Sequence, residues 1–252
     1  MSAGRVRLGV NIDHVATIRN ARGGGLSRPG ARRPLWLLKQ ARTASQPISV
    51  KDRRHISDAD INTLAAMLRE RGRPLNLEMA VTSEMLEIAL RHRPPAVCLV
   101  PERREERTTE GGLDVAGGHN WIAPFVAKLR DNGSRVSLFI GADPLQIEAA
   151  GRTGAEVVEL HTGAFCDAAR DGDLAAAVAV LKTLEAGASQ AASLGLEVHA
   201  GHGIDYETVA PIAAIPEVKE LNIGHFLVGE AIFSGLAAAV GEMRRRIDAA
   251  RA

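Results

Sequence analysis

Residues 11–14 of the chain bring together Asn11, Asp13 and His14, with Arg19 and Arg22 close behind. Amide, carboxylate, imidazole and guanidinium crowded at one point can hydrogen-bond, exchange protons and meet anions. Similar company recurs further on: Glu78 between Leu77 and Met79, Glu159-x-His161, His202 flanked by Gly201 and Gly203, and Gly224 before His225. Acid and base groups facing one space can give protons to a bound molecule and take them from it. Glycines beside His202 and His225 let backbone N–H groups approach an anion such as phosphate. A carboxylate enclosed like Glu78 should hold its proton more tightly than usual and be able to shuttle it. Plainer readings stay open: turn-forming Asn and Asp at a strand end, a structural ion pair at Glu78, a turn histidine at His202. His199-x-x-His202 and Glu159-x-His161 have metal-ligand types, yet no compact H-E-x-x-H motif occurs, and no metal is expected.

The elements that must position these groups follow from periodicity. In LGVNIDH, Leu8, Val10 and Ile12 alternate with Gly9, Asn11 and Asp13, the period of a strand with one apolar and one polar face. Further strand candidates are residues 75–81, 96–102, 135–141, 155–162, 196–203 and 219–226. Helical patterns lie between them. Residues 58–70 put Ile61, Leu64, Ala65 and Leu68 on one face, and Asp143-Pro144 reads as a cap followed by a first-turn proline. An alanine-rich helix is expected over 173–193, and Leu236, Val240, Met243 and Ile247 stripe the last one. Seven strands, with room for an eighth before Asp52, alternate with helices along one domain, 1–252. That pattern predicts a (β/α)₈ TIM barrel. The polar strand faces carry Arg7 and Asn11, Asn76 and Glu78, Glu159 and His161, Glu197 and His199, then Glu220 and Asn222. The barrel interior should therefore be polar and hydrated, with its working end where the strands finish. The segment 108–118, TTEGGLDVAGG, is expected to be a long flap over that end.

Composition narrows the classes. Apolar residues at 46% of 252 suffice for a core, and aromatics at 3% leave Ala, Leu, Val and Ile to build it. A formal net charge of +1 gives no argument for nucleic acid or an anionic membrane as partner. Cys98 and Cys166 are read as reduced core thiols of a cytoplasmic protein, and no leader or long apolar run is expected.

The motifs GVNIDHVATIRNARGG, DRRHI, NLEMAVT, CLVPE, TTEGGLDVAG, VSLFI, ELHTG, AGHG and ELNIGH, in this order, resemble the pyridoxine 5′-phosphate synthase family. The resemblance implies a TIM barrel with extra helices, a homo-octamer, and a reaction without cofactor. That reaction condenses 3-amino-2-oxopropyl phosphate with 1-deoxy-D-xylulose 5-phosphate, releasing phosphate and water. Asn11, Arg22, Gly203, Gly224 and His225 would then hold the amino-ketone phosphate, and Asp13, His14, His55 and Thr108 the deoxyxylulose phosphate. Glu78 would act as general acid and base, and His202 as proton donor.

The likeness lapses over 24–51, where six Lys and Arg residues meet no Asp or Glu. In the family this interval supplies helix one and strand two, with a proton-accepting His and a phosphate-contacting Arg. Counted back from DRRHI, Ile48 and Val50 occupy those positions. Intact flanks around an acid-free stretch of unchanged length suggest two compensating shifts of reading frame. Two other functions remain at this point: a phospho-sugar epimerase or aldolase-type barrel, and a catalytically weakened barrel that binds phosphorylated ligands.

Overall fold

The computed structural model describes residues 4–20, 48–50, 58–101 and 111–252. Its sheet is a closed barrel of parallel strands in chain order: β1 Arg7–Asn11, β2 Ile48–Val50, β3 Leu75–Ala80, β4 Ala96–Val100, β5 Arg135–Ile140, β6 Val157–His161, β7 Glu197–Gly201 and β8 Val218–Ile223. Around it, among the described residues, run α1 Asp13–Asn20, α2 Asp58–Glu70, α3 Ser83–His92, α4 Val115–Asp131, α5 Pro144–Thr153, α6 Gly163–Arg170, α7 Leu174–Ser193, α8 Val209–Ala214, α9 His225–Ser234 and α10 Leu236–Ala249. The expected (β/α)₈ barrel is what forms, and the second helices after β6 and β8 are its additions.

Strand alternation decides which side chains meet the helices. Leu8, Val10, Leu75, Leu77, Met79, Val158, Leu160 and Leu221 are almost wholly buried on the outer face. The intervening residues turn inward, and the parallel registers bring them level: Gly9 with Asn222, Glu78 with Cys98, Glu159 with His199. Asn76, Glu78, Glu159, His199, Glu220 and Asn222 are all 8% exposed or less, so the interior is polar, as the sequence pattern predicts. Gly9 makes room for one of them. A Cβ there would stand 1.8 Å from Asn222 Oδ1, so a side chain at 9 would expel the asparagine.

The helices follow their sequence signals. Asp143 accepts from the Leu145 N–H at 2.8 Å with Pro144 in the first turn, and Asp173 caps α7. Leu236, Val240, Met243 and Ile247 are buried along α10 as their spacing requires. The flap expected over 108–118 is corrected at its far end. Leu113 is buried with its N–H bonded to the Phe139 carbonyl, and Asp114 caps α4 through the Gly117 N–H at 2.9 Å. Gln146 completes that helix start, its Oε1 accepting from Val115 and Ala116 at 2.7 and 3.0 Å. A buried leucine followed by a satisfied cap ends a loop, whatever the polarity of the residues before it.

At the N-terminal end of the barrel the interior charges pair among themselves. Arg7 Nε meets Glu220 at 2.7 Å, Arg135 meets Glu197 at 3.0 Å, His199 meets Glu197 at 2.8 Å, and Arg7 also contacts Glu197. The His199 hydrogen bond, opposed by burial and joined by Arg135 and Arg7, holds the Glu197 carboxyl far below the ordinary carboxylate range. This layer is the floor of the barrel, and its charges are internally matched. Among the described residues no helix is long and apolar enough to cross a membrane.

Candidate active site

The C-terminal strand ends open on a cavity of about 780 Å³. Asn11, Asp13, His14, Glu78, His202, Gly203, Gly224 and His225, eight of the residues singled out from sequence, all line it. Arg22, His55 and Thr108 lie outside the described residues.

Each side chain is placed by a strand end or by the turn beyond it. Asn11 closes β1 and donates from Nδ2 to Glu78 Oε1 at 2.9 Å across the barrel interior. Its own Oδ1 accepts from the Asp13 N–H at 3.2 Å, which starts α1. Asp13 Oδ1 then contacts His14 Nδ1 at 2.8 Å, and the His14 ring stacks on His225 with centroids 5.0 Å apart and 8° between planes. The turn from β8 into α9 passes close to β1 at Gly224, where a Cβ would meet Asn11 Cβ at 2.7 Å. The positive end of α9 thus begins at the cavity wall, at Gly224 and His225.

Across the mouth stands a second histidine pair. His161, the last residue of β6, stacks on His202 at 4.8 Å and 26°, while Phe139 meets His161 edge-on at 5.2 Å. Below them Asn222 Nδ2 donates to Glu159 Oε2 at 2.7 Å, and the Cys98 thiol lies 4.0 Å from the same oxygen. Cys98 and Cys166 are both buried and form no disulfide, as expected, but Cys98 also lines the cavity.

Glu159, His161 and Asn222 line the same cavity, and the sequence reading placed them on the inward faces without assigning them to the site. The signal was available: Glu159 and His161 share the polar face of β6, and Asn222 lies on that of β8 just before the Gly224 turn. Arg170 had no such signal. It follows α6 to the rim, where it contacts Asp167 at 2.5 Å, Asp205 at 3.8 Å and the Gly203 carbonyl at 3.4 Å.

The registers of β2 modify one expectation. Position 49 stands level with Asn11 and Asn76, whereas Ile48 is level with Val10 and Leu75, and Val50 with Leu77. The sequence count had put 48 and 50 in the places of the family's His and Arg. A one-residue offset in a strand exchanges its two faces, so in this barrel Ser49 takes the inward register position. The rest of 24–51 lies outside the described residues.

Among the described residues no three His, Cys, Asp or Glu side chains come together as a metal-ligand set. The arrangement instead offers carboxylates touching amides, two stacked imidazole pairs, and glycine turns at β7 and β8. It can exchange protons with a bound molecule and hold an anion on backbone N–H groups.

A profile of the family described as "Pyridoxal phosphate biosynthesis protein PdxJ" matches residues 8–249. The chain belongs to that family. A relative named pyridoxine 5'-phosphate synthase from Caulobacter sp. (strain K31) is 63% identical over 246 residues, covering 98% of each chain. Another of that name, from Ruegeria pomeroyi, is 59% identical over 253 residues and spans all of both chains. Among solved structures, a 3-keto-L-gulonate-6-phosphate decarboxylase from Vibrio cholerae matches with a TM-score of 0.60 over 98% of this chain and 99% of its own. At 16% identity that likeness concerns the barrel alone.

Proposed function

We propose that this chain condenses 3-amino-2-oxopropyl phosphate with 1-deoxy-D-xylulose 5-phosphate, closing the ring of pyridoxine 5′-phosphate and releasing phosphate and water. Family membership supports the reaction. The observation that carries the site assignment is that Glu78, His202 and both glycine turns line one cavity.

An amine adds to a ketone and the adduct loses water only when one group protonates the departing hydroxyl and another removes a proton from carbon or nitrogen. His202 is proposed as the donor and Glu78 as the acid and base of the imine and enolisation steps. Asn11, donating to Glu78 Oε1, holds the carboxylate in place at the cavity wall. Asn11, Arg22, Gly203, Gly224 and His225 are proposed to hold the amino-ketone phosphate. Asp13, His14, His55 and Thr108 are proposed to hold the deoxyxylulose phosphate, Asp13 through sugar hydroxyls. The stacking of His14 on His225 supports this division, because it makes the two holding sets adjoin where the substrates must react. Glu159, fixed by Asn222, faces the same space and can stabilise positive charge on an iminium nitrogen.

Following product formation from the two phosphorylated substrates tests the reading; a folded chain that binds both and forms none would refute it. The octamer implied by the resemblance is proposed as well, to be checked by light scattering, as is a cytoplasmic location, to be checked by fractionation.

The weakened-barrel reading keeps one observation in its favour: Ile48, Ser49 and Val50 offer neither a proton-accepting imidazole nor a guanidinium. Because Ser49 holds the inward register position, Ser49→His is expected to raise the rate at least about tenfold if a missing imidazole limits turnover, whereas Ile48→His with Val50→Arg, out of that register, should not. No gain from Ser49→His would mean that other residues supply the group. We propose further that 24–51 reflects two compensating frame shifts, which resequencing the gene would support or dismiss.

A further inference from the structure

His202 has a left-handed backbone, φ +82°, followed by Gly203 at +81°. Glycine adopts this region freely, but a residue with a Cβ does so only when its surroundings hold it there. Arg93 is the other non-glycine case among the described residues, and it closes a helix, a common place for it. His202 closes no helix.

The restraint comes from Thr162, which is fully buried. Thr162 occupies the N-cap position of α6, where a threonine hydroxyl would ordinarily accept from a first-turn N–H, yet it makes no such bond. The hydroxyl lies instead 2.6 Å from the His202 carbonyl and 2.8 Å from the Gly201 carbonyl, while the Thr162 N–H donates to that Gly201 oxygen at 2.9 Å. Cys166 Sγ, a thiol whose ionisation burial pushes up, adds a weak donor to the His202 carbonyl at 3.9 Å. The turn at β7 is thus tied to the start of α6 by the carbonyl of the very residue that is strained.

We propose that Thr162 is a positioning residue which, through one hydrogen bond, sets both the His202 imidazole and the Gly203 N–H. The peptide between them is planar and trans, so its C=O and N–H point opposite ways. Drawing the His202 carbonyl toward α6 turns the Gly203 N–H away from α6, and Gly203 lines the cavity. The same restraint fixes the backbone from which the His202 ring reaches its stack on His161. Proton delivery and anion grip are therefore coupled by a side chain that touches neither substrate. The inference rests on the roles proposed above for His202 and Gly203.

Thr162→Val keeps the shape and removes the hydroxyl, and Thr162→Ser keeps the hydroxyl. In folded Thr162→Val, kcat should fall and the KM for 3-amino-2-oxopropyl phosphate should rise, each by about tenfold or more, as misplacement of donor and anchor implies. The KM for 1-deoxy-D-xylulose 5-phosphate should stay within about twofold, inhibition by inorganic phosphate should weaken in parallel, and Thr162→Ser should recover most of both losses. Should valine prevent folding, Thr162→Ala replaces it with the same expectations. Wild-type kcat and KM in a folded variant lacking the hydroxyl would overturn the inference, as would failure of serine to rescue. His202→Asn separates the layers. If it leaves kcat intact, the donor role itself fails; if it lowers kcat while the folded valine or alanine variant does not, only the role of Thr162 fails.

Discussion

Gly163→Ala adds one methyl group beside the second histidine pair, and it should cost activity far more than stability. A Cβ at 163 would lie 2.6 Å from His161 Cε1, 3.1 Å from its Nε2 and 3.3 Å from His202 Cδ2. Ordinary carbon contacts begin near 3.5 Å, so the His161 ring would have to retreat by about 1 Å. It has little room: His202 stacks on it, Phe139 abuts its edge, and Gly111 approaches from the loop side at 3.4 Å, measured to where a Cβ would sit there. The rings must then shift together. A displacement of this size in a reacting or positioning group costs up to roughly a hundredfold in rate. We expect kcat to fall between about tenfold and a hundredfold. Stability should fall by only about 1–2 kcal/mol, since crowding the rings costs roughly 1–3 kcal/mol. Alanine at Gly163, the first residue of α6 with φ outside the left-handed region, offsets about 0.5–1 kcal/mol of that as the better helix former. Steady-state kinetics beside thermal unfolding would read both. A folded Gly163→Ala chain with wild-type kcat would refute the reasoning.

Glu78→Gln keeps the shape and the hydrogen bond available to Asn11 while removing the proton-transfer group, so kcat should drop by roughly 10²–10⁴ with the fold intact; circular dichroism and turnover together check it. Glu197 should mark acid stability. Its folded pKa is depressed, so its contribution is complete above about pH 4.5 and is lost as pH falls below that value toward the lower folded one. Denaturant titrations from pH 6 down to 3 should therefore show a shallower decline for Glu197→Gln than for the parent chain. Gln146→Ala leaves the Val115 and Ala116 N–H groups without their acceptor and should cost about 2 kcal/mol, a Tm drop near 4–8 °C in a domain of this size. An unchanged Tm would mean that α4 is capped by other means.

Strand alternation, helix stripes and caps were legible because each is local: the period of two in LGVNIDH, the Asp143-Pro144 start, the Leu236–Ile247 spacing. The eight cavity-lining residues assigned from sequence were legible too, since each stands at or near a strand end and a barrel gathers strand ends. The end of the loop before α4 was misread, because the polarity of TTEGG says nothing of the buried Leu113, whose N–H bonds to the Phe139 carbonyl about 26 positions away. The parity of β2 was equally out of reach, since the sequence count and the register with β1 and β3 differ by one residue.

By itself the sequence determined which groups this protein carries and on which strand face each one falls, because backbone periodicity turns spacing into direction. Only the tertiary structure decided which of those groups touch. That Asn11 holds Glu78, that Asn222 holds Glu159, and that a threonine beginning one helix restrains a histidine forty residues later follow from barrel closure. Closure sets distances between residues far apart in the chain, and no local pattern contains them.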